Sequence, residues 1–118
     1  MNIDFFNEFK EIYETHRNGD FLDEDGYPTD VALKLIEMWP YEHEIQWFEF
    51  IKNIWYFSDA AWEQVKHDGT TNLYVSTMGW SGNEAIIAAM MKNDMLWHWT
   101  WEASRRGGHF VFTIEKNS

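Results

Sequence analysis

Cysteine is absent from the 118-residue sequence, and long apolar runs and basic residues are scarce. The absence of cysteine excludes disulfides and thiolate metal sites, and it gives no reason to expect an oxidising, secreted setting. Charged residues interrupt every apolar run before it reaches the roughly 18 residues of a membrane span. The segment MNIDFFNEFKEIYETHR lacks the basic start and long apolar core of a signal peptide. These absences predict a soluble cytoplasmic protein that binds no membrane.

Nine Lys and Arg stand against 20 Asp and Glu, which gives a formal net charge of −11. The excess lies in residues 1–68, with sixteen acidic and five basic side chains, whereas residues 69–118 hold four of each. Acidic charge opposes direct binding to nucleic-acid phosphates and to anionic lipids. It permits docking on a basic protein surface, including one that normally holds nucleic acid. The alternative is that the charge only keeps an aromatic-rich protein soluble.

The length fits a single domain, residues 1–118, with a core of its own. Apolar residues recur at helical spacing over residues 3–16, and residues 18–28 form a loop by their Gly, Asp and Pro content. A second helix is predicted to begin at a cap on Thr29 or Asp30 and to stop at Pro40.

A third helix is predicted from about residue 42 to residue 55, apolar on more than one side, and a short helical turn is expected before Gly69. The segment TNLYVSTM is typical of a strand. Ser81 and Glu84 then have the spacing of a capping box, which predicts that their side chains open the helix NEAIIAAMMKN.

Two alternating segments, MLWHWTWEAS and HFVFTIEK, predict a hairpin closed by the loop RRGG, whose glycines supply positive φ. The predicted register pairs Ser104 with His109, Trp101 with Phe112 and Trp99 with Ile114, and it places both tryptophans in the core. Taken together, the pattern predicts an α+β fold in which a helical N-terminal half packs on a small, mostly antiparallel C-terminal sheet with one inserted helix.

Familiar catalytic and metal motifs are not found in the sequence. If Gly26 is taken as the sixth position of an EF-hand loop, Phe21 and Ala32 fall where the first and twelfth positions require acidic ligands. The His-Glu pair at residue 43 has Trp47 where a zinc protease needs its second histidine. No nucleophile–base pair is evident either, so we predict no catalytic residues, no metal and no cofactor.

Two motifs in the second half suggest a candidate binding site. GWSGNE places backbone N–H groups at a helix start, where anions bind, and SRRGGH adds cations that can grip carboxylate or phosphate. The candidate residues for a ligand or partner are Trp80, Ser81, Asn83, Glu84, Arg105, Arg106 and His109. The opposing interpretation is that the arginines are solvated and that the capping box occupies the helix terminus. Trp80 is interpreted as structural, with one arginine stacked on its indole.

These segments, with PTDVALKLIEMWP and IWYF upstream, resemble a family of small proteins encoded by tailed phages and prophages. The resemblance covers roughly Pro28 to Phe112. The sequence departs from the family pattern at Met78, where glycine is more usual, and at Ala103, where serine is expected. The resemblance implies a phage product acting in the bacterial cytoplasm, and it assigns no role to any signature residue.

Three function classes follow from these observations. The first is an acidic, non-enzymatic protein that binds and modulates or inhibits a host protein with a basic surface, such as defence or nucleic-acid-handling machinery. The second is a small anionic-ligand or nucleotide-binding protein with a Trp/Arg/His pocket. The third, an enzyme with Glu84, Glu102 or His109 as acid–base groups, has the least support.

Overall fold

A computed structural model describes Glu11 and residues 21–115, and it has the predicted α+β architecture. The helix predicted over residues 3–16 lies outside the described residues, apart from Glu11. The helices are α1 (Asp30–Met38), α2 (Glu44–Ile54, after a 3₁₀ turn at Tyr41–His43), α3 (Ser58–Ala61), α4 (Ser81–Lys92) and α5 (Asp94–Thr100). The strands are β1 (Trp62–His67), β2 (Thr70–Ser76), β3 (Trp101–Arg105) and β4 (His109–Glu115).

Helix α1 follows its local signals closely. The Thr29 hydroxyl accepts a hydrogen bond from the Ala32 N–H at 3.3 Å, and the helix ends at Met38, before Pro40. The predicted cap and stop are therefore confirmed. Helix α1 packs against α4, and the Trp47 indole N–H of α2 donates to the Ile36 carbonyl of α1 at 3.1 Å.

All strands pair antiparallel, in the spatial order β1-β2-β4-β3. The inner face carries the buried side chains of β2 and β4, and Phe112 there meets Phe48 of α2 with ring centroids 5.4 Å apart. Strand β1 was not predicted from the sequence. It joins β2 through Asp68 and Gly69, whose φ angles of 50° and 80° suit a two-residue hairpin turn. An Asp-Gly pair is a strong hairpin signal, so the dipeptide could have revealed this strand.

The strand predicted over residues 95–104 is wrong for its first part, because residues 94–100 are helix α5. The Asn93 side chain caps this helix by accepting from the Leu96 N–H, and the Thr100 hydroxyl donates to the Leu96 carbonyl at 2.6 Å. Leu96 and Thr100, four residues apart, are both buried, so the core selects the helical period over the alternating one. Trp99 and Trp101 are exposed, and their predicted place in the core is also wrong.

The β3–β4 hairpin is confirmed with a shifted register. Arg105, not Ser104, pairs with His109, so the loop is Arg106–Gly108. A bulge between Trp101 and Ala103 takes up the one-residue shift and restores the predicted pair of Trp101 with Phe112. The pair of Trp99 with Ile114 does not form, since Trp99 lies in α5. Among the residues described, no helix is long and apolar enough to cross a membrane.

Candidate protein-interaction surface

Trp80 lies immediately before α4, and its indole folds back over Gly82 in the first turn of that helix. A Cβ atom at position 82 would overlap the six-membered ring of Trp80, so only glycine leaves room for it. The second glycine of GWSGNE therefore serves close packing of an aromatic ring rather than the approach of a phosphate.

Two tyrosines stack on the Trp80 indole. Tyr27 stacks on it at 4.6 Å and 28°, and Tyr56 stacks at 4.3 Å and 23°. Phe57 continues the row with its ring centroid 4.1 Å from that of Tyr56. We call Tyr27, Trp80, Tyr56 and Phe57 the aromatic ladder.

The ladder lies at the protein surface. Tyr27 is 39% exposed, Tyr56 38% and Phe57 57%. The prediction that an arginine stacks on Trp80 is wrong, because among the described residues the rings that stack on the indole are those of Tyr27 and Tyr56. Sequence reasoning missed the other three rings. Tyr27 falls in the loop predicted over residues 18–28, and nothing local in IWYF shows which of its rings face solvent.

The predicted capping box does not form. Helix α4 begins at Ser81, its cap residue is Trp80, and no side chain caps it. The Glu84 N–H bonds instead to the Trp80 carbonyl at 3.1 Å, while the Ser81 hydroxyl donates to the Tyr27 phenol oxygen at 3.3 Å. The box fails because Ser81 is already helical, so its side chain cannot fold back onto the first turn.

Asn83 is fully buried, and its side chain holds the backbone of the ladder. Its Oδ1 accepts from the Tyr56 N–H at 2.9 Å, and its Nδ2 donates to the Tyr56 carbonyl at 3.1 Å. The neighbouring Trp55 indole N–H donates to the Ser76 carbonyl at 3.0 Å. Asn83 is thus a structural clamp, with no free group to offer a ligand.

Phe57 and Met78 adopt left-handed backbone conformations, with φ of 58° and 57°. Such a conformation costs a residue with a side chain about 1–2 kcal/mol. Glycine at position 78 would adopt this φ without strain. Both side chains are more than half exposed. The chain therefore presents two large apolar groups to solvent at a conformational cost.

Acidic residues adjoin the ladder along the chain. Asp23, Glu24 and Asp25 precede Tyr27, and Asp59 follows Phe57 by two residues. The Asp23 carboxylate accepts from the Asp25 and Tyr27 N–H groups, both at 2.9 Å, and so fixes the loop that carries the first ring. We call these four residues the acidic rim.

The residues predicted from SRRGGH belong to the β3–β4 hairpin. Arg105 and His109 pair across β3 and β4 on the outer face of the sheet and line a cavity of about 430 Å³. Arg106 is exposed in the hairpin loop. The loop contacts the residue that leads into GWSGNE, since the Thr77 N–H donates to the Gly108 carbonyl at 2.9 Å and the Thr77 carbonyl accepts from the Trp80 N–H at 3.0 Å. A Cβ at Gly108 would overlap the Thr77 hydroxyl.

Comparisons of the chain with models of protein families, with curated proteins and with solved structures gave no match. The resemblance to phage-encoded proteins thus stays a hypothesis. The candidate site is a row of aromatic rings in contact, three of them exposed, with acidic residues close to it along the chain.

Proposed function

We propose that this chain is a non-enzymatic interaction protein that docks on the basic surface of another protein through the aromatic ladder and the acidic rim. The observation that carries the proposal is the contiguous row of four rings in contact, three of them at least 38% exposed. Large exposed apolar patches with polar borders are typical of protein-binding surfaces.

The composition of the ladder suits binding. Tyrosine and tryptophan are enriched among the residues that dominate binding energies, because they bury much area with little loss of side-chain entropy. The stacking on Trp80 and the Asn83 clamp hold Tyr56 in place before a partner arrives. Preorganisation of this kind lowers the entropic cost of association.

The expected partner carries an apolar pocket surrounded by lysines and arginines. The acidic rim, and the concentration of negative charge in residues 1–68, favour such a surface and speed its encounter. The phage-family resemblance points to a host protein in the bacterial cytoplasm, with modulation or inhibition of that protein as the outcome.

The test is capture of a partner from bacterial lysate at low and at moderate salt, with the parent chain and two variants. Phe57→Ala removes the outermost ring, whereas Tyr74→Ala removes an equally large side chain that is 41% exposed on the outer sheet face. We expect a stoichiometric partner whose recovery falls steeply with salt, is lost with Phe57→Ala and survives Tyr74→Ala. Recovery of no partner at either salt, or equal loss in both variants, would overturn the proposal.

The second function proposed from the sequence, binding of a small anion, has support only at the outer-face cavity. Arg105 and His109 line it together with Tyr74, and Glu63 there opposes a negative ligand. Calorimetric titration with a nucleotide tests this function. Arg105→Ala should abolish binding, and Arg106→Ala, which lies outside the cavity lining, should leave it unchanged.

A further inference from the structure

We propose that the chain also binds an amphipathic carboxylate in a groove between α2 and the β1–β2 hairpin. The groove has a volume of about 510 Å³ and shares no residue with the aromatic ladder. Small-molecule sites usually occupy roughly 300–1,000 Å³. The groove is therefore large enough to hold most of a medium-chain fatty acid or of an aryl carboxylate.

The floor of the groove is apolar. Phe48 of α2 and Leu73 and Ile114 of the sheet line it, and Ile45 extends the apolar wall outward. Ile45 is exposed although it lies on the side of α2 that borders the groove. A hydrocarbon chain or ring placed here would cover apolar surface that water now contacts.

Trp62 lines the groove and carries an unused hydrogen-bond donor. Its side chain is 8% exposed, and its Nε1 is the only buried side-chain polar atom without a partner in the part of the chain that the structure describes. Buried donors without partners are unfavourable and rare. An acceptor oxygen on a ligand in the groove would satisfy this indole N–H.

Two lysines lie on opposite walls. Lys52 comes from α2, and Lys66 comes from β1, where it pairs with Thr71 on the same sheet face as Leu73. Neither lysine forms an ion pair with a residue of the described chain. Glu49 and Asp68 also line the groove, so its formal charge is balanced. A carboxylate is therefore favoured only where it lies closer to the two ammonium groups than to the acidic side chains.

The experiment titrates the protein with decanoate, decanol and decylammonium, each below its micellar concentration, while NMR follows the indole N–H resonances. The Trp62 signal is assigned from its loss in Trp62→Phe. We expect decanoate to shift this signal and to bind at least about tenfold more tightly than decylammonium. Absence of a Trp62 shift with all three compounds would overturn the site. Equal binding of decanol and decanoate would overturn the carboxylate class.

Exposed charge variants give a second test that does not depend on Trp62→Phe folding. Lys52→Gln and Lys66→Gln should each weaken decanoate binding by roughly three- to tenfold, and Glu49→Gln should tighten it. Lys34→Gln, on α1 outside the groove lining, is the matched control. Unchanged binding in both lysine variants would contradict the proposal. Phe57→Ala should bind decanoate with unchanged affinity, so failure of this proposal can be distinguished from failure of the proposed protein-binding surface.

Discussion

A buried asparagine binds the backbone of a distant segment at each end of α4, at the surface at one end and in the core at the other. At the N-terminal end, buried Asn83 binds the N–H and the carbonyl of Tyr56. Just past the C-terminal end, buried Asn93 donates to the Ile36 and Trp39 carbonyls at 3.0 and 3.1 Å. Each asparagine thus ties the helix to a distant segment through that segment's backbone.

The difference between the ends lies in what each clamp holds. Asn93 holds the last turn of α1 inside the core, where Ile36 and Trp39 are buried. Asn83 holds Tyr56, whose ring stays exposed beside Trp80 and Phe57. Hydrophobic burial alone would draw such rings inward. The hydrogen bonds of Asn83 thus hold the ladder at the surface, whereas those of Asn93 stabilise the core.

Replacing each of the two asparagines in turn with alanine tests whether the two clamps differ in their contribution to stability, and it should give the largest effect. We expect Asn93→Ala to lower the free energy of unfolding by about 3–4 kcal/mol and Asn83→Ala by about 1–2 kcal/mol. Loss of the Asn93 side chain removes a donor from each of the buried Ile36 and Trp39 carbonyls. Water replaces the lost Asn83 bonds more easily, because Tyr56 is partly exposed. Urea unfolding followed by tryptophan fluorescence measures both. Equal losses would show that the two ends are energetically alike.

Gly82→Ala tests how the ladder is packed. Alanine normally stabilises a helix relative to glycine by up to ~1 kcal/mol, but here its Cβ displaces Trp80 and breaks both stacks. We expect a net loss of about 2 kcal/mol in unfolding free energy. In the background of Trp80→Ala the same substitution should become neutral or stabilising, since the ring is gone. A Gly82→Ala cost that persists without Trp80 would disprove the packing argument.

Met78→Gly is expected to change the free energy of unfolding least of these substitutions. Glycine relieves the left-handed strain and costs some chain entropy, so unfolding free energy should rise by about 0.5–1 kcal/mol. Partner binding should weaken at the same time if this exposed side chain belongs to the docking surface. Thermal melts and the capture assay read the two quantities separately. A lower melting temperature would show that the native fold compensates for the left-handed conformation of Met78 through other contacts of this residue.

Features that depend on near neighbours were predicted best. Thr29 and Pro40 set the limits of α1, and the glycines of the β3–β4 loop adopt the positive φ that was expected of them. Each of these signals acts within about one turn of chain. The failures occurred where two local periods competed, as at Trp97 and Trp99, whose alternation suited a strand until burial of Leu96 and Thr100 selected a helix.

The sequence predicted one part of the candidate site, the motif around Trp80, but not the residues that pack on it. GWSGNE was identified as a special corner, and Trp80 as its structural centre, but the partners of Trp80 were assigned to the wrong segment. Tyr27 and Tyr56 lie far from Trp80 in sequence, and no local pattern links the three rings. The Asp-Gly turn before β2 was a usable signal that the prediction did not exploit.

The sequence by itself determined the α+β class, the concentration of negative charge in residues 1–68, and the positions where α1 begins and ends. Those properties depend on composition and on contacts between residues a few positions apart. Only the tertiary structure decided the order β1-β2-β4-β3, the helix at residues 94–100 and the exposed aromatic ladder. These depend on contacts such as those of Asn83 with Tyr56 and Asn93 with Ile36, which join residues 27 and 57 positions apart, and such contacts exist only once the core has formed.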